Sequence, residues 1–505
     1  MNNTNQEKLL ENTKSALFLI LLSFIVNAWF AGSWSFYADD WVQMKAVTDL
    51  TWLEFKSFFI REFLFNGELR PFRAIEWLIK KVLYDFGGLS SVYIFQSLLV
   101  GISGYLLFLI LRKRAEFTVA LLVASLFLLS PIDSTSIWLP TFHWKFSLLL
   151  SLLSAYLILQ NKIVWASVAC IFSLLFHETP ISMLCLAPLI AYNPEKHWKD
   201  NKEFSAVLIK SICIFCLCFG TYIIWRKFIT PLYMSDFRMN FFLKEHDFKL
   251  GSLIIEQFKR TLYGYMAVLL LPFGVLTWKL SIWHLLLCIF AGSYFAFILQ
   301  DKTTIFPSKK ISLYLIALGL ITIPFAYWLA LYQAPARHLG MDSKLNLPAS
   351  ISFALFYFGV FSLIYTICLS TLASWHTCFS YFKNKNLVSR SFNIIGLSFL
   401  FMLVSVKFTF QQDYTEAKNI QNQLFSKIQV LQISADKTIL YKKTYPNNMA
   451  IEAVAPYGGP WSPQYTVYPK HLIKIKPTSN NNEVGLWVDG VLSKVVRKEN
   501  IIELD

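Results

Sequence analysis

The sequence predicts an all-α polytopic membrane protein of about 11 transmembrane helices (about 10 to 12), with external amphipathic helices and a small C-terminal α+β domain. Three observations predict it. Hydrophobic residues make up 55% of the 505 positions and charged residues only 15%, whereas the apolar share of a soluble protein is about 45–50%. Apolar runs of about 20 residues, enough to cross hydrocarbon, recur along the chain. Lys and Arg gather in the short links between those runs, as in cytoplasmic loops. The net charge of +15 does not indicate a nucleic-acid partner, because no basic run stands in a nucleic-acid-reading motif.

Residues 1–14 are polar and are expected to be a cytoplasmic N-terminus. The apolar run 15–34 has the length of one span and lacks a small-residue cleavage site, so it is expected to remain as an anchor. Residues 35–88 are too charged for lipid and are expected to form the first external loop. In that loop Asp49 is placed as the cap of a helix through Trp52, Phe55, Phe58, Phe59, Phe63 and Leu64, with Glu54, Arg61 and Glu62 on one face. A second helix after Pro71 sets Arg73, Glu76 and Lys80 on one side and Ile75, Leu78, Ile79 and Val82 on the other. Both helices are expected to lie on the outer leaflet, the alternative being that they only pack against spans.

Residues 89–111 form the next span, closed by Arg112-Lys113-Arg114. Residues 117–131 return outward, 132–145 form an external loop, and 144–160 go back in. Two short apolar pieces, 163–176 and 181–192, are joined by His177-Glu178-Thr179-Pro180 as a hairpin or a re-entrant loop. A span at 204–225 leads to a second large external loop, 226–260. The apolar pieces 261–277 and 281–300 are separated by three residues, while the links 301–310 and 380–390 carry Lys/Arg bias and belong inside. An odd number of crossings satisfies both, with one of the two pieces incomplete or re-entrant. Spans at 311–331, 350–370 and 391–410 complete a membrane domain of residues 15–410, and leave 333–349 outside. From 411 to 505 the chain turns polar, with strand-like runs at 438–442 and 483–488. None of the eight cysteines lies in the first polar loop or the last hundred residues, so no disulfide framework is expected there. Cys213, Cys216 and Cys218 are expected as helix-packing residues.

Asp39 and Asp40 stand between Tyr37 and Trp41, directly after the first apolar run. Neighbouring like charges repel, so a pair kept at a membrane face asks for a use. The same face is expected to collect Arg70, Arg73, Lys145, His177, Glu178 and Arg337. Acids beside cations at a lipid surface suit a reaction that takes a group off an anionic lipid. The carboxylate accepts a proton from an attacking hydroxyl, and Arg or Lys stabilises the departing phosphate.

This layout resembles the GT-C superfamily of polyprenyl-phosphate-sugar-dependent glycosyltransferases, and most of all the bacterial serotype-converting glucosyltransferases that decorate O-antigen. The matching features are a first span, an acidic pair opening a long external loop with amphipathic helices, many short-looped spans and an external C-terminal domain. Phe176-His177-Glu178-Thr179-Pro180 is similar to a Lys-Glu motif of some relatives, with His177 where Lys would stand, and Arg337 falls where relatives often have a basic residue.

The resemblance implies an inverting transfer of a hexose, glucose first, from undecaprenyl-phosphate-sugar to a hydroxyl of lipid-linked O-antigen, at the periplasmic face of the inner membrane. It implies Asp39 or Asp40 as the base, with His177-Glu178 and Arg337 at matching positions. The residues collected on the same face add Arg70 and Arg73, with Arg337, as candidates for the donor phosphate, and Lys145, His177 and Glu178 as further substrate contacts. A flippase and a donor-making synthase are the implied partners. Arg70, in the turn of residues 66–71, also reads as a snorkelling side chain. Carboxylates suit Mg or Mn, but two adjacent aspartates are too few ligands to define a metal site, so metal and cofactor stay open. The competing classes are a lipid-linked sugar transporter or flippase, which would carry ionisable residues near span centres, and an acyl-modifying or assembly factor, for which His177-Glu178 is the one candidate pair.

Overall fold

In hydrocarbon a backbone finds hydrogen-bond partners only within itself, so apolar sequence of this length becomes helix. The computed structural model describes residues 3–35, 37, 44, 47–63, 72–135, 137–177, 179–193, 201–225, 250–298, 307–327, 346–374, 385–434, 437–442, 449–450, 466–470, 473–478, 480, 482–488 and 491–504. In chain order the helices are α1 (Asn3–Ala28), α2 (Trp52–Arg61), α3 (Arg73–Leu111), α4 (Phe117–Leu128), α5 (Phe142–Leu159), α6 (Ile163–Phe176), α7 (Leu186–Ala191), α8 (Lys202–Ile224), α9 (Leu250–Leu269), α10 (Leu271–Lys279), α11 (Ile282–Ile298), α12 (Lys309–Tyr327), α13 (Ala349–Ser374) and α14 (Lys385–Val430). A 3-10 turn, Thr179–Cys185, precedes α7.

Among the described residues, seven helices are long and apolar enough to cross a membrane, or eight if the bent pair α9 and α10 is one span. Four apolar helices are shorter: Phe117–Leu128, Ile163–Phe176, Pro180–Ala191 and Ile282–Phe297. Length and composition alone therefore support fewer spans than the sequence count of about 11, which takes in the short segments as well.

Three local differences from the sequence reading have clear causes. Thr51, not Asp49, caps α2: its hydroxyl accepts from the Glu54 N–H at 3.4 Å, and its own N–H donates to Glu54 Oε2 at 2.9 Å. That Thr-x-x-Glu box satisfies two end donors at once, whereas the Asp49 carboxylate accepts from Thr48 Oγ1 at 2.7 Å. The Thr51 donors hold the Glu54 carboxyl below the usual carboxylate range.

The amphipathic first part of α3 is the second difference, because its polar face is buried. Glu76 and Lys80 are 2% and 0% exposed, while Phe86 is 89% exposed. The polar face packs into protein, Ile75, Leu78 and Ile79 are half-buried, and only Val82 and Phe86 of the apolar face are exposed. This part ends at Gly87 and Gly88, where Gly88 takes φ +66°, a conformation that costs glycine little. The Ser91 hydroxyl donates to the carbonyls of Leu83 and Gly88, replacing helix bonds lost at the break.

Third, α14 runs through residue 411, where composition suggested a domain boundary. No Gly or Pro lies between Gln411 and Val430 to stop it, and Tyr414, Ala417, Gln421, Leu424 and Ile428 form a buried stripe at helical spacing. Beyond it lie a parallel sheet of order β2-β1-β6 (Thr466–Pro469, Thr438–Tyr441, Ile501–Leu504) and an antiparallel sheet β3-β4-β5 (Ile473–Pro477, Glu483–Val488, Val491–Arg497).

The helices pack through small and hydroxylated residues, as expected where lipid competes equally for apolar surface. Ser147, Ser151 and Ser173 link α5 to α6 by hydroxyl contacts of 2.9 and 3.0 Å. Ser23 of α1 donates to the Ser97 carbonyl of α3 at 2.8 Å. A close crossing joins α12 and α13. A Cβ at Gly319 would stand 2.7 Å from Phe356 N, one at Gly359 would stand 2.8 Å from Ile316 N, and Thr322 and Ser352 share a hydroxyl contact of 2.8 Å.

Gly319→Val is therefore expected to destabilise this crossing by about 1–3 kcal/mol through overpacking, read as a lowered midpoint in thermal unfolding of the detergent-solubilised protein. Gly220→Val, where a Cβ meets nothing within 4 Å, should leave the midpoint in place. Equal midpoints for the two variants would refute the close crossing.

Candidate functional site

Polar side chains concentrate at the two ends of the helices. At one end Arg114 donates to the carbonyls of Ile190 (3.1 Å) and Ala191 (2.7 Å) and pairs with Glu203 at 2.6 Å, and Lys210 reaches Asn161 Oδ1 at 2.7 Å. The other end carries the residues of interest.

There the buried face of α3 meets the start of α5. Glu76 Oε1 accepts from Lys80 Nζ at 2.5 Å, and Glu76 Oε2 lies 3.1 Å from His143 Nδ1. A carboxylate only accepts, so Nδ1 of His143 carries the proton of that bond. Lys80 also donates to the Leu139 carbonyl at 3.2 Å and lies over the rings of Phe142 (5.3 Å) and Trp77 (5.6 Å). The acid is thus paired on both oxygens, the condition under which a buried charge is tolerated. His177, at the end of α6, is fully buried, with its ring 3.8 Å from Trp144 and 5.4 Å from His143 between centroids. Its carbonyl accepts from Ser147 Oγ at 2.6 Å. Phe176 stacks on Phe146 at 4.9 Å and meets Phe72, beside Arg73, at 5.4 Å.

A second node holds the segment that leads to the acid pair. Gln411 of α14 accepts from the Phe30 N–H at 3.1 Å, donates to the Ile25 carbonyl at 3.0 Å, and its own carbonyl accepts from Trp34 Nε1 at 3.1 Å. Tyr37 is fully buried, donates to the Tyr414 carbonyl at 2.5 Å and accepts from Ser35 N–H at 3.1 Å. Lys418 donates to the Trp34 carbonyl at 3.3 Å, and Tyr93 to that of Ser35 at 2.8 Å. On the same stretch of α14, Asp413 pairs with Lys279 at 2.5 Å and accepts from the Ala450 N–H at 2.6 Å. Lys407 donates to the Asp133 carbonyl at 3.2 Å.

Asp39, Asp40, Arg70, Glu178 and Arg337 lie outside the described residues, as does the loop 226–249. Of the other predicted site residues, Arg73 is half-buried at the first position of α3. Lys145 is 1% exposed and donates to Gln96 Oε1 and, at 3.4 Å, to the Trp138 carbonyl, which makes it a tie between helices. His177 and Arg73 flank the cluster centred on Glu76. Sequence reading missed the charged trio Glu76, Lys80 and His143. The i,i+4 acid and base were visible, but their partner is 67 positions away. Among the described residues no group of three or more His, Cys, Asp or Glu is placed to hold a metal ion.

A scan against protein-family models and a search of curated proteins return no match for this chain.

Removing the acid alone strands an ammonium in a buried site. Glu76→Gln is expected to cost about 3–5 kcal/mol, seen as a lower unfolding midpoint. The double variant Glu76→Gln/Lys80→Met should recover part of that loss; a double variant less stable than the sum of the single changes would contradict the pairing.

Proposed function

We propose that this chain is a GT-C-like membrane glycosyltransferase. It transfers a hexose, glucose by resemblance, from undecaprenyl-phosphate-sugar to a hydroxyl of lipid-linked O-antigen or another cell-surface glycan, at the periplasmic face of the bacterial inner membrane. The observation that carries this is the acid pair Asp39-Asp40, which in sequence follows the first apolar helix and starts two positions after a buried Tyr37 pinned to α14.

The chemistry needs three parts. The acceptor hydroxyl oxygen attacks the anomeric carbon on the face opposite the phosphate. The bond from that carbon to the phosphate oxygen breaks, and its electron pair leaves with the phosphate. The hydroxyl proton goes to Asp39 or Asp40. The leaving group needs a cationic clamp and no proton, which Arg70, Arg73 and Arg337 are proposed to supply, with Lys145, His177 and Glu178 as further substrate contacts. A divalent cation bridging the acids and the phosphate stays open.

We further propose that the chain crosses the bilayer an odd number of times, about 11. Three sets of contacts support this. Gln257 of α9 donates to the Tyr327 carbonyl at 3.2 Å, and Lys279 at the far end of α10 pairs with Asp413. Both ends of the bent pair thus meet helix ends on the side of Tyr37, so the pair enters and returns rather than crossing. α11 runs antiparallel to α14, with Cys288 facing Ser405 at 3.4 Å. Asn346 donates to the Ile132 carbonyl at 2.8 Å, joining the loop before α13 to the same side. With Arg112-Lys113-Arg114 inside, the acid pair and the C-terminal domain share the periplasm.

Membranes carrying the wild-type chain, Asp39→Asn or Asp40→Asn at matched expression, supplied with undecaprenyl-phosphate-[14C]glucose and lipopolysaccharide acceptor, test the activity. Loss of transfer by about 10²-fold or more in one variant, with donor binding retained, is expected. Normal transfer by both, or movement of the lipid across the bilayer without a glycosidic bond, would favour the transporter class. For the topology, alkaline phosphatase fused after residue 505 is expected to be active and after residue 305 inactive, and the reverse pattern would overturn the odd count.

A further inference from the structure

Between α4, α10, α13 and α14 the span layer holds a cavity of about 290 Å³, lined among others by Leu126, Phe273, Tyr357, Phe361, Phe392 and Leu400. Two lining residues, Phe273 and Ile364, are 55% and 48% exposed, so the cavity opens sideways within the apolar layer. A cavity with walls of this kind takes hydrocarbon, not water.

Its depth tells which hydrocarbon. At a rise of about 1.5 Å per residue, Tyr357 lies about 12 Å and Ile364 about 22 Å from the start of α13 at Ala349. Counted inward along α14 from Phe410, Leu400 lies about 15 Å and Phe392 about 27 Å in. Phe273 lies about 9 Å from Lys279 along α10. The hydrocarbon core is about 30 Å thick, so the cavity has its rim on the Tyr37 side of the mid-plane and extends deep into the half that faces the Lys/Arg-rich links. An acyl chain of the leaflet on the Tyr37 side ends at about 15 Å and reaches only that rim. A chain headed at that face must be longer to fill the cavity.

The rim leads to that face. Phe273 belongs to α10, whose Val275 and the following Leu280 are buried in one apolar cluster with Trp34 and Tyr37, and whose Lys279 pairs with Asp413.

We propose that the cavity holds the distal part of the donor's polyprenyl chain and makes transfer selective for long-chain donors. This rests on the transferase activity proposed for the chain and adds a chain-length requirement with its place in the fold. The proximal units, common to short and long chains, lie along α10, and the units beyond the mid-plane pack among the phenylalanines of α13 and α14. A Cβ at Gly396 would stand 3.1 Å from Phe361, so a larger side chain at 396 drives Phe361 into the cavity. Val360 lines it from α13.

The full chain in nanodiscs of phosphatidylethanolamine and phosphatidylglycerol is assayed with glucosyl phosphates carrying about two, four or eleven isoprene units, the shortest of which ends before the mid-plane. The wild type is expected to show kcat/KM at least about tenfold higher for the longest donor than for the shortest, a difference of about 1.4 kcal/mol. Gly396→Leu and Val360→Phe are each expected to reduce that ratio about tenfold while the unfolding midpoint stays near the wild-type value. An unchanged ratio in both variants would overturn the proposal.

A second arm reads the site without turnover, using undecaprenyl phosphate with a diazirine at its distal end, photolysed in wild-type nanodiscs. Labelled peptides from α13 and α14, protected by unlabelled undecaprenyl phosphate, are expected. Labelling elsewhere, or protection by phospholipid alone, would assign the cavity to bilayer lipid and overturn the proposal. Transfer independent of chain length would sink the chain site and spare the transferase activity. Labelling here without any transfer would do the opposite.

Discussion

Most of the end of this molecule that carries Tyr37 depends on one helix continuing past its apolar stretch. The turns of α14 from Gln411 to Lys418 accept or donate hydrogen bonds to Phe30, Trp34, Tyr37 and Ile25 on one side, and Asp413 binds Lys279 and Ala450 on another. Residues separated by about 380 positions are thereby held in one rigid arrangement, whose loop-closure cost grows only slowly with that separation. The stretch 30–37, the bent pair and the parallel C-terminal sheet all meet it. A helix suits this role because its own backbone bonds are already made, leaving side chains and end carbonyls to bind others.

Burying charge next to that node follows the same economy. Glu76 would be costly alone in an apolar setting, and is tolerable because Lys80 and His143 each take one of its oxygens. The aromatic rings of Trp77 and Phe142 around the ammonium add a weaker attraction and exclude water. Such a trio fixes the relative rotation of α3 and α5, since a slip of either helix would part the acid from at least one donor. Hydroxyls do equivalent work deeper in the layer: Ser147, Ser151 and Ser173 bond within the α5–α6 contact, and need no counter-charge.

The membrane class was legible because hydrocarbon imposes its length on sequence. The helices α8, α12 and α13 each begin or end close to where hydropathy and Lys/Arg placement put them. What was not legible depended on distant partners. Reading α3 as a surface amphipath was sound in period but wrong in sense, because nothing in residues 73–86 announces that Glu76 faces His143 instead of water. The cap of α2 could have been found, since Thr51 and Glu54 stand in capping-box spacing. The reach of α14 beyond 411 was hidden by polar composition, although Tyr414, Ala417, Gln421, Leu424 and Ile428 already carry the helical period. Of the candidate site, sequence named Arg73, Lys145 and His177, and the structure brings the helix ends that carry them together; it could not show that Lys145 binds Gln96.

That last point narrows the choice of cations. A lysine serving a phosphate has to give up whatever it holds when the ligand is absent. Lys80 holds a buried carboxylate and a carbonyl, and Lys145 a carboxamide and a carbonyl, each almost without contact with solvent. Releasing either would leave its partners unsatisfied, at a cost of about 1–3 kcal/mol for each neutral polar group and more for the carboxylate. A phosphate gains little from an ammonium that must first be withdrawn in this way. Arg73 is half-buried at the first position of α3, where the end of the helix and its dipole favour negative charge, and its planar fork matches phosphate oxygens. For the proposed transferase, loss of transfer in a Lys145 variant would then report on how α3 and α5 are joined, whereas loss in an Arg73 variant would report on the proposed phosphate contact.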